Sequence, residues 1–150
     1  MIEYFKLFFK NEIFKNSNHW ALFFLRVIPS FYMFFYHGKR KIIGGYESWE
    51  GLGEAALSLI GIEFGYIFFG FLAAISEGIL TWLIMFGIFT RFSSVFMIIT
   101  MSFAGLYHLV DGDSGEMAFI YLTIYLAIFL AGPGKISLDE KFFNNNKNNA

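Results

Sequence analysis

"YIFFGFLAAISEGILTWLIMFGIF", residues 66–89, is the longest apolar run in the chain, and a single carboxylate, Glu77, stands near its middle. A helix needs about 20 mostly apolar residues to cross a bilayer, and this run has enough. No alternating strand pattern of about ten residues appears anywhere, and backbone groups in lipid must be paired internally, so a helix is the form the run must take. At 1.5 Å of rise per residue, Glu77 lies about 17 Å from either end. A glutamate at that depth cannot reach water. It is either a neutral acid bonded to a neighbouring helix or a carboxylate paired with a cation. Arg26, His37 and His108 are the partners considered first.

Three further stretches can cross a membrane: Trp20 to Tyr36, Phe92 to Val110, and a shorter one from Met117 to Ala131. The reading is an all-α membrane protein, a four-transmembrane-helix bundle over residues 19–134. Composition agrees. The chain has 150 residues, 57% hydrophobic and only 15% charged, against about 45–50% and 25% for soluble domains. So small a globule cannot bury that much apolar surface, so the lipid bilayer is the expected partner. The net charge of −1 and the lack of a basic patch argue against nucleic acid. Cysteine is absent, which excludes thiolate catalysis, disulfide exchange and iron–sulfur ligation by this chain. There is no GxGxxG, P-loop, nucleophile elbow or haem-attachment signature.

In residues 1–18, Ile2, Phe5, Phe9 and Ile13 recur at helical spacing with Lys6 and Lys10 on another face. This predicts an N-terminal amphipathic helix lying on the membrane surface. Glu3 and Glu12 argue against a signal peptide. About 29 residues separate the first two spans. Within them Leu52, Ala55, Ala56, Leu59 and Ile60 predict a short helix in the first outer loop, with Trp49 and Tyr66 at the headgroups. "DGDSG", residues 111–115, reads as a turn and "GPG", residues 132–134, as a helix stop. Residues 135–150 read as a polar tail, without order at its Asn-rich end. Lys6, Lys10, Lys15, Arg91, Lys135, Lys141 and Lys147 fall on the side of the termini, and Lys39, Arg40 and Lys41 on the other. The excess places both termini in the cytoplasm.

Other polar groups gather near Glu77. His37 ends the first span and His108 nearly ends the third, each after a tyrosine, Tyr36 and Tyr107. Lys41 is one turn beyond His37 and shares its face if the helix continues. Glu116 opens the fourth span at the same side. Taken singly, each has a bland reading: an interfacial anchor, or for Glu116 a charge suited to a helix N-terminus. Arg26, about 10 Å into the first span, either snorkels to the headgroups or forms an inward ion pair. Convergence from four spans favours a polar pocket in the outer half of the bundle. Glu77, His37 and His108 are the candidate catalytic groups; Lys41, Glu116, Tyr36, Tyr107 and Arg26 are candidate ligand contacts. Two histidines and two carboxylates also form a metal set, but without a Glu-x-x-His spacing no metal is expected.

These residues together resemble the DoxX family of small four-helix membrane proteins. The resemblance runs from Leu25 to Leu138. It rests on Arg26, on "YHGKRK" with His37, Gly38 and Lys41, on "ISEGIL" with Glu77, on "GIFTR" with Arg91, on His108 and Glu116, and on "AGPGKISLD". It implies an integral bundle in the bacterial plasma (inner) membrane. It also implies association with redox systems, including a quinone-reducing thiosulfate oxidoreductase and a complex with superoxide dismutase; related folds act as membrane chaperones. Arg91, beside a tight turn, reads as a structural or headgroup anchor.

Two functions compete. One is a subunit of a membrane redox system, with a quinone or other small ligand held by His37 or His108 and exchanging protons with Glu77 or Glu116. Its electron donor would lie in a redox partner or a hetero-complex. The other is a non-catalytic chaperone, assembly factor or lipid-binding scaffold. Solute transport is weaker, because four spans lack the repeats usual in transporters, although a homo-oligomer could line a pore.

Overall fold

The computed structural model describes residues 17–144. The surface helix expected over residues 1–18 and the final Asn-rich residues from 145 onward lie outside that range, save for the helix's last two positions. Among the described residues every regular element is helical. Helix α1 (Ser17–Met33) continues through a π-helical turn, Phe34–Gly38, into α2 (Lys39–Ile43). Helix α3 (Gly45–Leu57) follows almost at once. Helix α4 (Tyr66–Ile75) passes through a second π turn, Ser76–Leu80, into α5 (Thr81–Phe86). Helices α6 (Thr90–Val110) and α7 (Glu116–Ala131) complete the set.

Two helices are long and apolar enough to cross a membrane, Tyr66–Phe86 and Thr90–Val110. The first stops three residues before the expected Phe89, because Gly87 takes a left-handed φ of 72° and Phe89 one of 47°. The long connection between the first two spans is mostly helix. Its helix covers Gly45–Leu57, which begins earlier than expected but includes Leu52, Ala55 and Ala56, while Leu59 and Ile60 fall in the short 3-10 turn Ser58–Ile60; it packs along α4.

Polar groups are inside and rings outside. Arg26, Ser30, Ser76, Glu77, Thr81, Thr90, Ser93 and Ser94 are all buried, while Phe24, Phe31, Phe35, Phe68 and Phe92 are exposed. A soluble protein arranges these the other way. Some buried helical hydroxyls are served locally: Ser76 donates to the Leu72 carbonyl at 2.7 Å, and Ser94 to that of Thr90 at 2.7 Å, while the hydroxyls of Thr90 and Ser93 have no protein partner. Between these groups lies an apolar core of Met33, Ile84, Met97, Met101, Tyr121, Tyr125 and Ile128.

The two π turns pack against each other. A Cβ on Gly38 would stand 2.1 Å from the Glu77 carbonyl oxygen, and one on Gly78 would stand 1.9 Å from Ile42 Cδ1. Only glycines allow a helix crossing this close. Insertions of this kind into α-helices are frequent at functional sites. Here Thr81 donates to the Glu77 and Gly78 carbonyls at 2.9 and 3.0 Å, supplying partners where the regular ladder is interrupted.

At the opposite end, the segment after α7 folds back as a clasp. Asp139 accepts from the backbone N–H of Phe89 at 2.8 Å and of Thr90 at 2.9 Å, capping α6, and its own N–H donates to the Gly87 carbonyl at 2.7 Å. Arg26 completes the clasp, donating to the Ile84 carbonyl at 3.3 Å and to the Ile136 carbonyl. Replacing Asp139 with Ala removes both acceptors and is expected to cost about 1–2 kcal/mol. Asn, which keeps one acceptor, should cost less. Thermal unfolding of the detergent-solubilised protein checks the order.

Candidate functional site

The buried end of the site is an ion pair. Glu77 is 1% exposed, and its Oε1 lies 2.5 Å from the Nζ of Lys41, whose side chain is 20% exposed. The cation is therefore Lys41, not Arg26 as weighed first from the sequence. Helix α1 does not end at His37: the π turn carries it on into α2, and Lys41 arrives beside the second π turn. Trp49 of α3 donates its Nε1–H to the Lys41 carbonyl at 2.9 Å, which ties down the end of α2. The Glu77 Oε2 is buried and has no protein donor.

Glu77 and Lys41 stand in the wall of a cavity of about 370 Å³. The other deep walls are His37, Tyr121, Met33 and Met101. His37 is half-buried, its ring edge-on to Tyr121 at 6.2 Å between centroids. Tyr121 in turn stacks on the buried Tyr125 at 6.3 Å. The cavity opens toward the turn between α6 and α7, where His108, Asp113, Ser114 and Glu116 line it. There His108 Nδ1 lies 3.3 Å from an Asp113 carboxylate oxygen, with both side chains substantially exposed. Glu116 is exposed, and its backbone N–H donates to Ser114 Oγ at 3.3 Å.

Five of the eight candidate residues thus share one cavity: His37, Lys41, Glu77, His108 and Glu116. The other three stand elsewhere. Arg26 is buried in the clasp at the far end of α1. Tyr36 is 68% exposed and stacks on Tyr32. Tyr107 packs beside the His108 ring but does not line the cavity. A residue next to a cavity-facing one on a helix points about 100° away, so following Tyr-His in sequence does not bring the tyrosine along. Arg91 donates to the Phe129 carbonyl at 3.2 Å.

Asp113 and Tyr121 are among the cavity residues that escaped the sequence reading. Asp113 lay inside a segment legible only as a turn, although its place five residues after His108 was a usable signal. Tyr121 was one ring among many; its spacing of four from Tyr125 marked a common face. Among the described residues no group of three or more His, Asp or Glu side chains is placed to hold a metal ion.

An apolar exterior, polar interior and membrane-length helices define a helical membrane protein with an internal polar cavity. The DoxX family model matches residues 21–109, more than half of the chain, and the protein belongs to the DoxX family. It is a bacterial membrane protein. A protein of Haemophilus influenzae (strain ATCC 51907 / DSM 11121 / KW20 / Rd), described only as uncharacterized, is 28% identical over 133 residues, covering 80% of this chain and 89% of its own. No solved structure matches.

Breaking a buried pair from one side is expected to be worse than removing both charges. Lys41→Met strands a carboxylate that cannot reach water and should cost about 3 kcal/mol. Glu77→Leu leaves a lysine that can turn outward, so it should cost less. The double variant should recover much of the loss. Unfolding midpoints of the three proteins in one detergent test this.

Proposed function

We propose that the chain crosses the bacterial inner membrane four times, through α1, α4 with α5, α6 and α7, with both termini cytoplasmic, and acts as a ligand-binding subunit of a membrane redox system. The crossings are supported by exposed large apolar side chains on all four helices and the orientation by the lysine and arginine excess on the terminal side. One observation carries the functional reading. A buried carboxylate, neutralised on one oxygen by Lys41 and unserved on the other, stands in the wall of a cavity large enough for a small ring. A buried charged acceptor left unmet calls for an explanation, and among the unpartnered buried atoms this one belongs to an ion pair lining the cavity.

A quinone fits the groups present. His37 and Lys41 can donate to a ring oxygen, and Tyr121, Met33 and Met101 supply faces on which a ring packs. A quinone bound there would supply two-electron chemistry; with no cysteine this chain has no thiol or iron–sulfur centre of its own, and a partner protein would bring the electrons. The chain's own residues bind the ring, keep it from bulk water and handle protons. His108, Asp113 and Glu116 form a titratable rim between the aqueous surface and Glu77.

A second reading has its own support. Tyr46, Trp49, Tyr66, Phe68 and Phe71 line a broad groove between α3 and α4, away from the cavity. Such a surface suits a non-catalytic chaperone or scaffold that holds a partner or a lipid.

Solvent extraction and mass spectrometry of protein purified in native lipid should find a quinone or its hydroquinone, and His37→Ala, which removes a donor to the ring oxygen, should lower its occupancy several-fold. Deleting the gene should reduce quinone reduction by isolated membranes. Quinone-free protein together with unchanged membrane rates overturns the redox reading. A Glu77→Gln variant that loses complex yield with all redox rates intact supports the scaffold.

A further inference from the structure

We propose that the cavity selects a hydroquinone, the hydroxyl form of an aromatic ring carrier, over the matching quinone, and that it rejects anions. This rests on the ligand-binding reading above and adds the chemical form of the ligand to it. Of the two Glu77 oxygens, Oε1 is held by Lys41 at 2.5 Å, while Oε2 is buried with no donor from the protein. An ionised carboxylate oxygen only accepts, so the group that meets Oε2 must bring a hydrogen. Beside it, the Lys41 ammonium has three N–H groups, and only one is aimed at Glu77. A ligand atom that meets Lys41 must accept.

A hydroxyl does both at once. A quinone carbonyl can accept from Lys41 but leaves Oε2 unserved, and an ammonium can serve Oε2 but repels Lys41. Leaving a buried charged acceptor unmet is the costly outcome. The deep walls choose a ring to carry that hydroxyl. Tyr121 presents an aromatic surface backed by Tyr125, His37 meets it edge-on, and Met33 and Met101 offer polarizable thioethers.

Charge sets the second half of the preference. Glu77, Asp113 and Glu116 are set against Lys41 and two imidazoles, and the imidazole at the mouth already faces Asp113. A small anion entering past Asp113 and Glu116 would meet like charge before it reached Lys41, whose charge is already balanced by Glu77. The preference has a redox consequence. Binding the reduced form tenfold more tightly raises the potential of a bound two-electron couple by about 30 mV, so a quinone in this cavity becomes easier to reduce.

The test is equilibrium dialysis of the purified protein in nanodiscs against a short-chain benzoquinone, its hydroquinone held reduced under argon, and benzoate as a ring of similar size bearing a charge. The hydroquinone should bind about tenfold tighter than the quinone, with benzoate weaker than both. Glu77→Gln puts an N–H₂ donor in reach of the ligand and should move the preference toward the quinone. Equal or tighter binding of quinone by the unaltered protein overturns this inference and leaves the quinone-site reading standing. Benzoate binding as tightly as the hydroquinone overturns the charge argument. If neither ring binds, both the inference and the reading beneath it fall. The comparison on unaltered protein decides the matter even if the Gln variant does not fold.

Discussion

The Lys41–Glu77 pair is the interaction on which the rest of the structure depends. Removing two charges from water costs several kcal/mol per ion, and attraction offsets that only when the geometry is held. Here the geometry is held by backbone. Gly38 and Gly78 let the two π turns approach until there is no room for a Cβ, and Trp49 fixes the last turn of α2 through the Lys41 carbonyl. The helix crossing, the ion pair and the cavity are therefore one construction. Loosening any part of it separates the charges.

The two ends of the protein divide the labour. At the clasp, Arg26 and Asp139 satisfy backbone groups on the break between α5 and α6. At the cavity end, polar groups are left partly unsatisfied: one Glu77 oxygen lacks a donor, and His108 and Asp113 are open to solvent. Between them the core of Met33, Ile84, Met97 and Ile128 is buried. The clasp fastens the break through backbone bonds, yet it too leaves buried atoms without a protein partner, Arg26 Nε and Thr90 Oγ1; what sets the other end apart is that its unmet acceptor faces a cavity. This division also explains why an arginine and a lysine on one helix have different roles despite the same charge.

Membership of the DoxX family accounts for the fold class and not for the chemistry, because one fold hosts many functions. The chemistry is carried by the contents of one cavity. Its deep end mixes an ion pair with aromatic and thioether surfaces, and its rim is titratable. On the reading proposed above, that contrast between buried aromatic walls and an exposed polar rim suits a small ring carrier.

By itself the sequence determined that the chain is helical, that lipid covers much of it, and that Glu77 must find company. These follow from run length, composition and the cost of a charge at depth, which are local or additive quantities. It also marked His37, Lys41, His108 and Glu116, because polar residues stand out against apolar runs. It did not determine that Lys41 rather than Arg26 meets Glu77. That depended on a π turn continuing α1 past His37, and a single inserted residue in a helical ladder leaves no mark in composition or periodicity. Nor could it separate Asp113 from a turn, Tyr121 from the other rings, or Asp139 from a polar tail. The role of each is set by what stands opposite in space, and only the packed helices decide that.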